Sequence, residues 1–266
     1  MSDHALDPVH AARARRSTVA WRQAAWRQYR LERRMFWRNP SAAFFNFLLP
    51  LLFLALFGAI FSEEQANLQV IVPGIAGMAV MSTTFSALAM NLTYLRESGV
   101  LKRIHGTPLP TSAYLAGIAG NAVTNTALQV ALITAAGSLV FGLDWPQDWA
   151  ALAVFVALGV GCFASLGVAL SHAIPNFDSA PAYVNAAFLP VIFISGVFYD
   201  ADNAPEALRV VAEVLPLKHL IDGLSGAMVT GEGLAGNASA LLVLALWTVV
   251  GATLAIRGFS WDARRR

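Results

Sequence analysis

The run Leu48-Leu49-Pro50-Leu51-Leu52-Phe53-Leu54-Ala55-Leu56-Phe57 carries no polar side chain. A helix at the surface of a soluble core keeps one polar face, with apolar residues recurring every three or four positions. At about 100° per residue this run is apolar on every side. The strands of a membrane barrel alternate polar and apolar residues, and this run does not. It reads as a helix surrounded by hydrocarbon.

Working outward, no Asp, Glu, Lys or Arg occurs between residues 41 and 62, and five further gaps have the same character: 65–95, 104–143, 149–177, 179–199 and 233–256. Each holds about 20 mostly apolar residues, the length that crosses ~30 Å of hydrocarbon. A charge at the centre of a spanning helix costs roughly 2.5–3.5 kcal/mol, so the gaps predict six membrane helices, near residues 42–61, 70–94, 113–141, 149–172, 180–198 and 238–256. Composition agrees. The 266 residues are 57% hydrophobic and 13% charged, against about 25% charged in soluble domains. A disordered chain is excluded and an ordinary soluble globule is disfavoured. The expected organisation is an all-α integral membrane protein. Residues 1–40 form a cytoplasmic segment with an interfacial helix, 41–256 a six-helix transmembrane domain, and 257–266 a cytoplasmic basic tail.

Orientation follows from the basic residues. Sixteen of the eighteen fall in the first 40 residues, in the segment holding Arg96, Lys102 and Arg103, or in the tail after residue 256. The opposite connections hold only Arg209 and Lys218, with ten acids, among them Asp144, Asp200, Glu206 and Asp222. The positive-inside rule puts both termini in the cytoplasm, and an even number of spans agrees. Basic segments beside anionic lipid imply a bilayer partner and not nucleic acid. The first 40 residues are too long and too basic for a cleavable signal peptide. Their Trp21, Trp26, Tyr29, Phe36 and Trp37, interleaved with Arg, read as an amphipathic helix in the inner interface, or as a basic flank that sets topology.

Several chemistries have no residues to carry them. A phosphate-binding loop needs glycines followed by Lys and Ser or Thr, and neither Lys102 nor Lys218 follows a glycine. The histidines are scattered and no metal motif or nucleophile elbow occurs, so no catalytic, metal or cofactor site is expected in this chain. Cys162 stands alone in an apolar span and reads as a packing residue. No span has a buried charge near its middle, which disfavours an ion-coupled carrier. The spans do carry polar and small residues at helical spacing. Asn121, Asn125 and Gln129 share one face of the third span, where amides either tie helices together or line a path. Ala157, Gly161, Ser165 and Ala169 share a face of the fourth and read as close packing.

Two segments remain. Residues 96–110 read Arg-Glu-Ser-Gly-Val-Leu-Lys-Arg-Ile-His-Gly-Thr-Pro-Leu-Pro, a short charged helix followed by a Gly-Thr-Pro turn. Between the fifth and sixth spans stand Phe188-Leu189-Pro190, Ser195-Gly196-Val197-Phe198-Tyr199, Pro205-Glu206-Ala207-Leu208-Arg209, Leu215-Pro216-Leu217-Lys218-His219 and Asp222-Gly223-Leu224. The apolar pieces 207–215 and 220–229 are too short to span and suggest short external or re-entrant helices. In this order and spacing the two segments resemble the ABC-2-type permeases, the membrane subunits of ABC exporters, in their daunorubicin-resistance and nodulation-export branch. The resemblance runs from about Arg30 to Arg257. This chain departs from the family pattern at His219, often an aromatic there, and at Ser225, often an Arg.

The resemblance implies a permease without ATPase machinery, whose partner subunits, an ATPase dimer, bind ATP and Mg. It implies a second permease half, identical or not, across the pathway. Glu97, Leu101, Lys102, Arg103 and Ile104 would form the coupling helix seated in the ATPase cleft. Ser195, Gly196, Pro216 and Asp222 would belong to an external hairpin over the outer end of the path. The expected function is ATP-driven export of a hydrophobic or amphipathic, drug- or lipid-like molecule across the inner (plasma) membrane. The alternative cargo is a polysaccharide or lipid-linked glycan. A membrane-embedded lipid-modifying enzyme is the competing class, and would need an acid/base pair or nucleophile at the interface.

Overall fold

A computed structural model describes residues 8–61, 64–107, 109–201 and 204–258. The expected basic tail from residue 259 onward, and Glu63 and Asp202 among the expected external acids, lie outside them. Among the described residues every regular element is helical and no strand occurs. In chain order these are α1 (Pro8–Arg38), α2 (Pro40–Ile60), α3 (Gln65–Met81), α4 (Ala87–Glu97), α5 (Val100–His105), α6 (Thr111–Phe141), α7 (Trp149–Ala173), α8 (Ala180–Ile194), α9 (Glu206–Ala212), α10 (Pro216–Ser225), α11 (Gly233–Gly236) and α12 (Ala238–Gly258). A π-helical turn, Ser82–Ser86, joins α3 to α4, and a second, Gly226–Thr230, extends α10.

Among the described residues five segments are long and apolar enough to cross a membrane: Ala43–Ile60, Gln65–Glu97, Ser112–Phe141, Trp149–Ala173 and Ala238–Gly258. The expected fifth span is shorter than its charge gap. α8 has 15 residues, about 22 Å at 1.5 Å per residue. Its end is set locally. Gly196 takes φ +76°, a left-handed conformation that a side chain disfavours. The Tyr199 hydroxyl then donates to the Phe193 carbonyl at 2.7 Å, folding the chain back over the helix end.

α3 is the central element. Leu68, Ile71, Val72, Ile75 and Ala76 are buried along it, and it packs against α2, α6, α7 and α10. Glycines set the closest approaches, as small residues do where lipid supplies no hydrophobic drive between helices. A Cβ on Gly74 would lie 2.0 Å from the Val197 carbonyl oxygen, and one on Gly167 2.6 Å from that of Phe85. The second contact uses the π turn, whose widened backbone meets α7 at Gly167.

The segment expected as external or re-entrant packs into the helical bundle. α10 carries a buried Leu217, Leu220 and Leu224 and lies against α3, α7 and α12. Gly159 leaves room for Leu220, and Gly223 for Phe155. The π turn that extends it loosens the helical ladder, and buried backbone groups freed by it need other partners. They have them. The Ala227 carbonyl accepts from the backbone N–H groups of Gln147 and Asp148, at 3.1 and 3.0 Å. The Gln147 side chain donates to the Val229 carbonyl at 2.8 Å.

Candidate functional site

The elbow between α4 and α5 gathers the residues expected to couple. α4 ends at Glu97, and Gly99 turns the chain at φ +72° with open space where a Cβ would stand. Six residues of α5 follow, closed by the Thr107 hydroxyl donating to the Ile104 carbonyl at 2.6 Å. Pro110, in extended backbone, then leads into α6.

The elbow is built from the inside. Leu101 is 2% exposed and packs with Leu88, Tyr114 and Ile118, with Ile104 half-buried at the edge. The sequence expectation gave Leu101 to a partner's cleft, and the structure turns it into this chain. The reason is the three-residue spacing of Leu101 and Ile104, which serves a short helix lying on its own bundle as well as one lying on a partner. Lys102 and Arg103 occupy the exposed side.

Arg96, read from the sequence only as an orienting charge, is buried. Its Nη1 donates to the Ser171 carbonyl at 2.8 Å and its Nη2 to the Ile174 carbonyl at 2.6 Å. The last four carbonyls of a helix lack intrahelical partners, and an Arg supplies both donors and favourable charge at that end. One sequence signal pointed to this. α7 runs out into Ile174-Pro175, with no glycine to cap it. Glu97 makes a second tie, its Oε2 accepting from the Phe177 backbone N–H. Tyr94 meets Phe177 edge-on, with ring centroids 5.4 Å apart. Asn176 Oδ1 accepts from the Ser179 N–H at 2.9 Å, setting up the start of α8. The elbow and the α7–α8 connection are one bonded unit.

α1 lies beside this unit along α6. Trp21 Nε1 donates to Ser112 Oγ at 2.9 Å, and the Tyr29 and Thr124 hydroxyls are 3.2 Å apart. Arg33 donates to Asn125 Oδ1. Gly117 lets the stem of Gln28 approach, and Gln28 donates to Glu32 at 2.7 Å. Burial pushes the Glu32 carboxyl above the usual carboxylate range, with the Gln28 hydrogen bond opposing the shift. Trp26 and Trp37 are exposed on one flank of α1 and Leu31 and Met35 on the other, with Arg27, Arg30 and Arg34 exposed between them.

The amide stripe of α6 faces inward and joins helices. Gln129 accepts from Thr83 Oγ1 at 2.5 Å and donates to the Asn46 carbonyl at 2.7 Å, bridging α2, the first π turn and α6. Asn125 is held by Arg33, and Asn121 has a buried Oδ1 without a hydrogen-bond partner. At the other end of the bundle, Ser195, Gly196 and Asp222 line one cavity, while Pro216 opens α10 over an apolar cleft with Phe85, Phe163 and Trp247. Asp222 pairs with Lys218 one helical turn back, at 2.9 Å. Among the described residues no group of three or more His, Cys, Asp or Glu side chains is placed to hold a metal ion.

Residues 20–229 match the family model described as ABC-2 type transporter. The chain is 27% identical over 199 residues to the putative transport permease ycf38 of Pyropia yezoensis, covering 70% of this chain and 67% of that one. It is 26% identical over 176 residues to nodulation protein J of Rhizobium leguminosarum bv. viciae, covering 66% and 67%. It is 28% identical over 130 residues to the probable multidrug ABC transporter permease YbhS of Escherichia coli K12, covering 48% of this chain but only 33% of that one.

Proposed function

From the premise that this chain belongs to the ABC-2 type transporter family, and is a membrane permease subunit of that family and not an ATPase, we propose that it carries the transport path of an ATP-driven exporter. A separate ATPase dimer binds ATP and Mg and docks on the α4–α5 elbow. The observation that carries this reading is the construction of the elbow. It holds Lys102 and Arg103 outward on a helix whose other side is packed into the bundle and bonded to the α7–α8 connection. A push there reaches α4, α5, α7 and α8 together.

The six-span topology supports the same reading, with α8 as the remaining crossing. Its short helix is completed by the buried, non-helical stretch Ser195-Gly196-Val197, which is tolerated at membrane depth because protein surrounds it. Both termini, the elbow and the α7–α8 connection then lie in the cytoplasm of an inner-membrane protein. The α1 helix lies at the inner interface with its exposed aromatic flank in lipid. A second permease half completes the path. The cargo is a hydrophobic or amphipathic molecule of the drug or lipid class, consistent with spans that hold no charge near their middles.

The test is reconstitution with the separate ABC ATPase subunit of the same transporter. Purified permease alone should hydrolyse no ATP. The pair in proteoliposomes should hydrolyse it and move a hydrophobic dye in an ATP-dependent way. Hydrolysis by the permease alone, or a pair that neither associates nor hydrolyses, contradicts the proposal.

A further inference from the structure

A cleft of about 570 Å³ runs between α8 and α12, a volume within the range of small-molecule sites. Ala187 and Val191 of α8 form one wall and Trp247 and Leu254 of α12 the other, over a floor that includes Phe163 of α7 and Phe85 of the first π turn. One end lies at Leu215 and Pro216, where α10 begins. The other lies at His172, Ala173 and Gly258, where α7 and α12 finish.

Two features select the occupant. The first is length and chemistry. From Trp247 to Gly258 on α12, and from Phe163 to Ala173 on α7, the cleft follows about 15 Å of helix. That is half of ~30 Å of hydrocarbon, the depth of one leaflet. Away from the His172 end the lining side chains carry one polar atom, Trp247 Nε1, and it donates to the Val214 carbonyl at 2.9 Å. A contiguous apolar recess of this kind suits a hydrocarbon chain and gives a polar ligand nothing to bond. The second feature is charge. Arg257 is exposed, precedes Gly258, and stands roughly 60° round the helix from Leu254. A cation therefore flanks the His172 end. The leaflet facing the cytoplasm carries anionic lipid.

We propose that this cleft holds one acyl chain of an anionic phospholipid of the cytoplasmic leaflet, with the chain end at Pro216 and the phosphate beside Arg257. Assigning that leaflet rests on the six-span reading above, which puts the ends of α7 and α12 at the cytoplasmic surface. The lipid fills the gap between α8 and α12, beside the end of α7 that Arg96 holds.

The test uses the full-length chain in glyco-diosgenin, a detergent without a flexible alkyl chain. The probes are dioleoyl phosphatidylglycerol, its dihexanoyl form and dioleoyl phosphatidylcholine. Native mass spectrometry should show one dioleoyl phosphatidylglycerol bound before further copies add, and that lipid should raise the unfolding midpoint. The dihexanoyl form keeps the head group on chains too short to reach Pro216, and should bind at least roughly tenfold more weakly. Ala187→Phe and Ala169→Leu fill the cleft from opposite sides. Each should lose the first lipid and the response of the midpoint, while its midpoint without lipid matches the parent's, which general damage to the fold does not produce. Val249→Phe, on the exposed side of α12 away from the cleft, should change neither. Arg257→Gln should weaken phosphatidylglycerol roughly fivefold and leave phosphatidylcholine as it was. Retention of the first lipid by both filled variants overturns the proposal, as does equal binding of the dihexanoyl form or equal loss in Val249→Phe. Filled variants that keep the lipid but lose self-association assign the cleft to a second copy, and overturn it too. Neither ATP nor an ATPase is present. A complex that fails to export therefore leaves this result standing, and an empty cleft leaves the export reading standing.

Discussion

The Arg96 guanidinium donates to the Ile174 carbonyl at 2.6 Å across 78 residues of sequence. The neighbouring Glu97 takes the Phe177 N–H three residues further on. Two consecutive side chains at the end of α4 thus grip the end of α7 and the connection that follows it. A short helix that is only a loop on the surface absorbs a push. One bonded in this way moves together with the end of α7 and the start of α8.

Arg96→Ala should therefore destabilise the fold. It removes two charge-assisted hydrogen bonds and leaves the Ser171 and Ile174 carbonyls without that donor. The expected cost is about 1.5–3 kcal/mol, read as a lowered unfolding midpoint in detergent. Arg96→Lys should recover only part of it, because a lysine cannot present the planar fork. An unchanged midpoint for the alanine variant would remove Arg96 from the architecture.

Glu97 separates structure from charge. Glu97→Gln keeps an oxygen that accepts from Phe177 N–H and should fold like the parent. Glu97→Ala loses the tie and should expose the α7–α8 connection to protease. Loss of hydrolysis by the reconstituted complex in the Gln variant, with a normal cleavage pattern, assigns the charge itself to the ATPase contact. Normal hydrolysis in the Gln variant and loss in the Ala variant assigns Glu97 to holding the connection.

Glycine contacts predict a contrast between helices. Gly74→Ala drives a methyl into the Val197 carbonyl, backbone that cannot step aside. It should cost about 1–3 kcal/mol or more, seen as lost folded yield. Gly161→Ala meets only Thr248 Cγ2 at 3.8 Å, and its yield and unfolding midpoint should match the parent. Equal behaviour of the two variants would contradict the packing described for α3.

How much of this was legible follows from these same residues. Charge gaps located the long helices because a charge in hydrocarbon is costly everywhere along a span. They overran α8, since a gap marks where charges are absent and not where a helix stops. The stop depends on Gly196 and on a tyrosine hydroxyl reaching back to Phe193. The elbow was found by its motif, but the direction of Leu101 was not. A three-residue apolar spacing fits a partner's cleft and the chain's own core equally well. Arg96 was counted as a positive charge because its partners are carbonyls distant in sequence, which no local pattern displays. The amide stripe was read with two meanings, and Gln129 bridges Thr83 and Asn46 as a tie would.

The Glu32 carboxyl gives a pH dependence with a definite sign. Its folded-state pKa is raised, chiefly by burial. The stability it contributes is complete below the unfolded carboxylate range and is lost as pH rises through the raised value. Glu32→Gln, which can still accept from Gln28, should flatten that decline and raise the unfolding midpoint at neutral pH. The check is the midpoint followed from acid to neutral pH. A steeper decline in the Gln variant would reverse the assignment.

The central claim, that the elbow is where a separate ATPase delivers its stroke, is tested most directly by reversing the exposed charges in place. Lys102→Glu with Arg103→Glu falls on the outward side of α5 and leaves Leu101 and Arg96 in their contacts. The measurement is ATP hydrolysis by the complex in nanodiscs, with recovery of the ATPase subunit on tagged permease. The account predicts a normal unfolding midpoint, loss of ATPase recovery and at least roughly tenfold slower hydrolysis, about 1.4 kcal/mol of coupling. Undiminished recovery and hydrolysis in the double variant would contradict it.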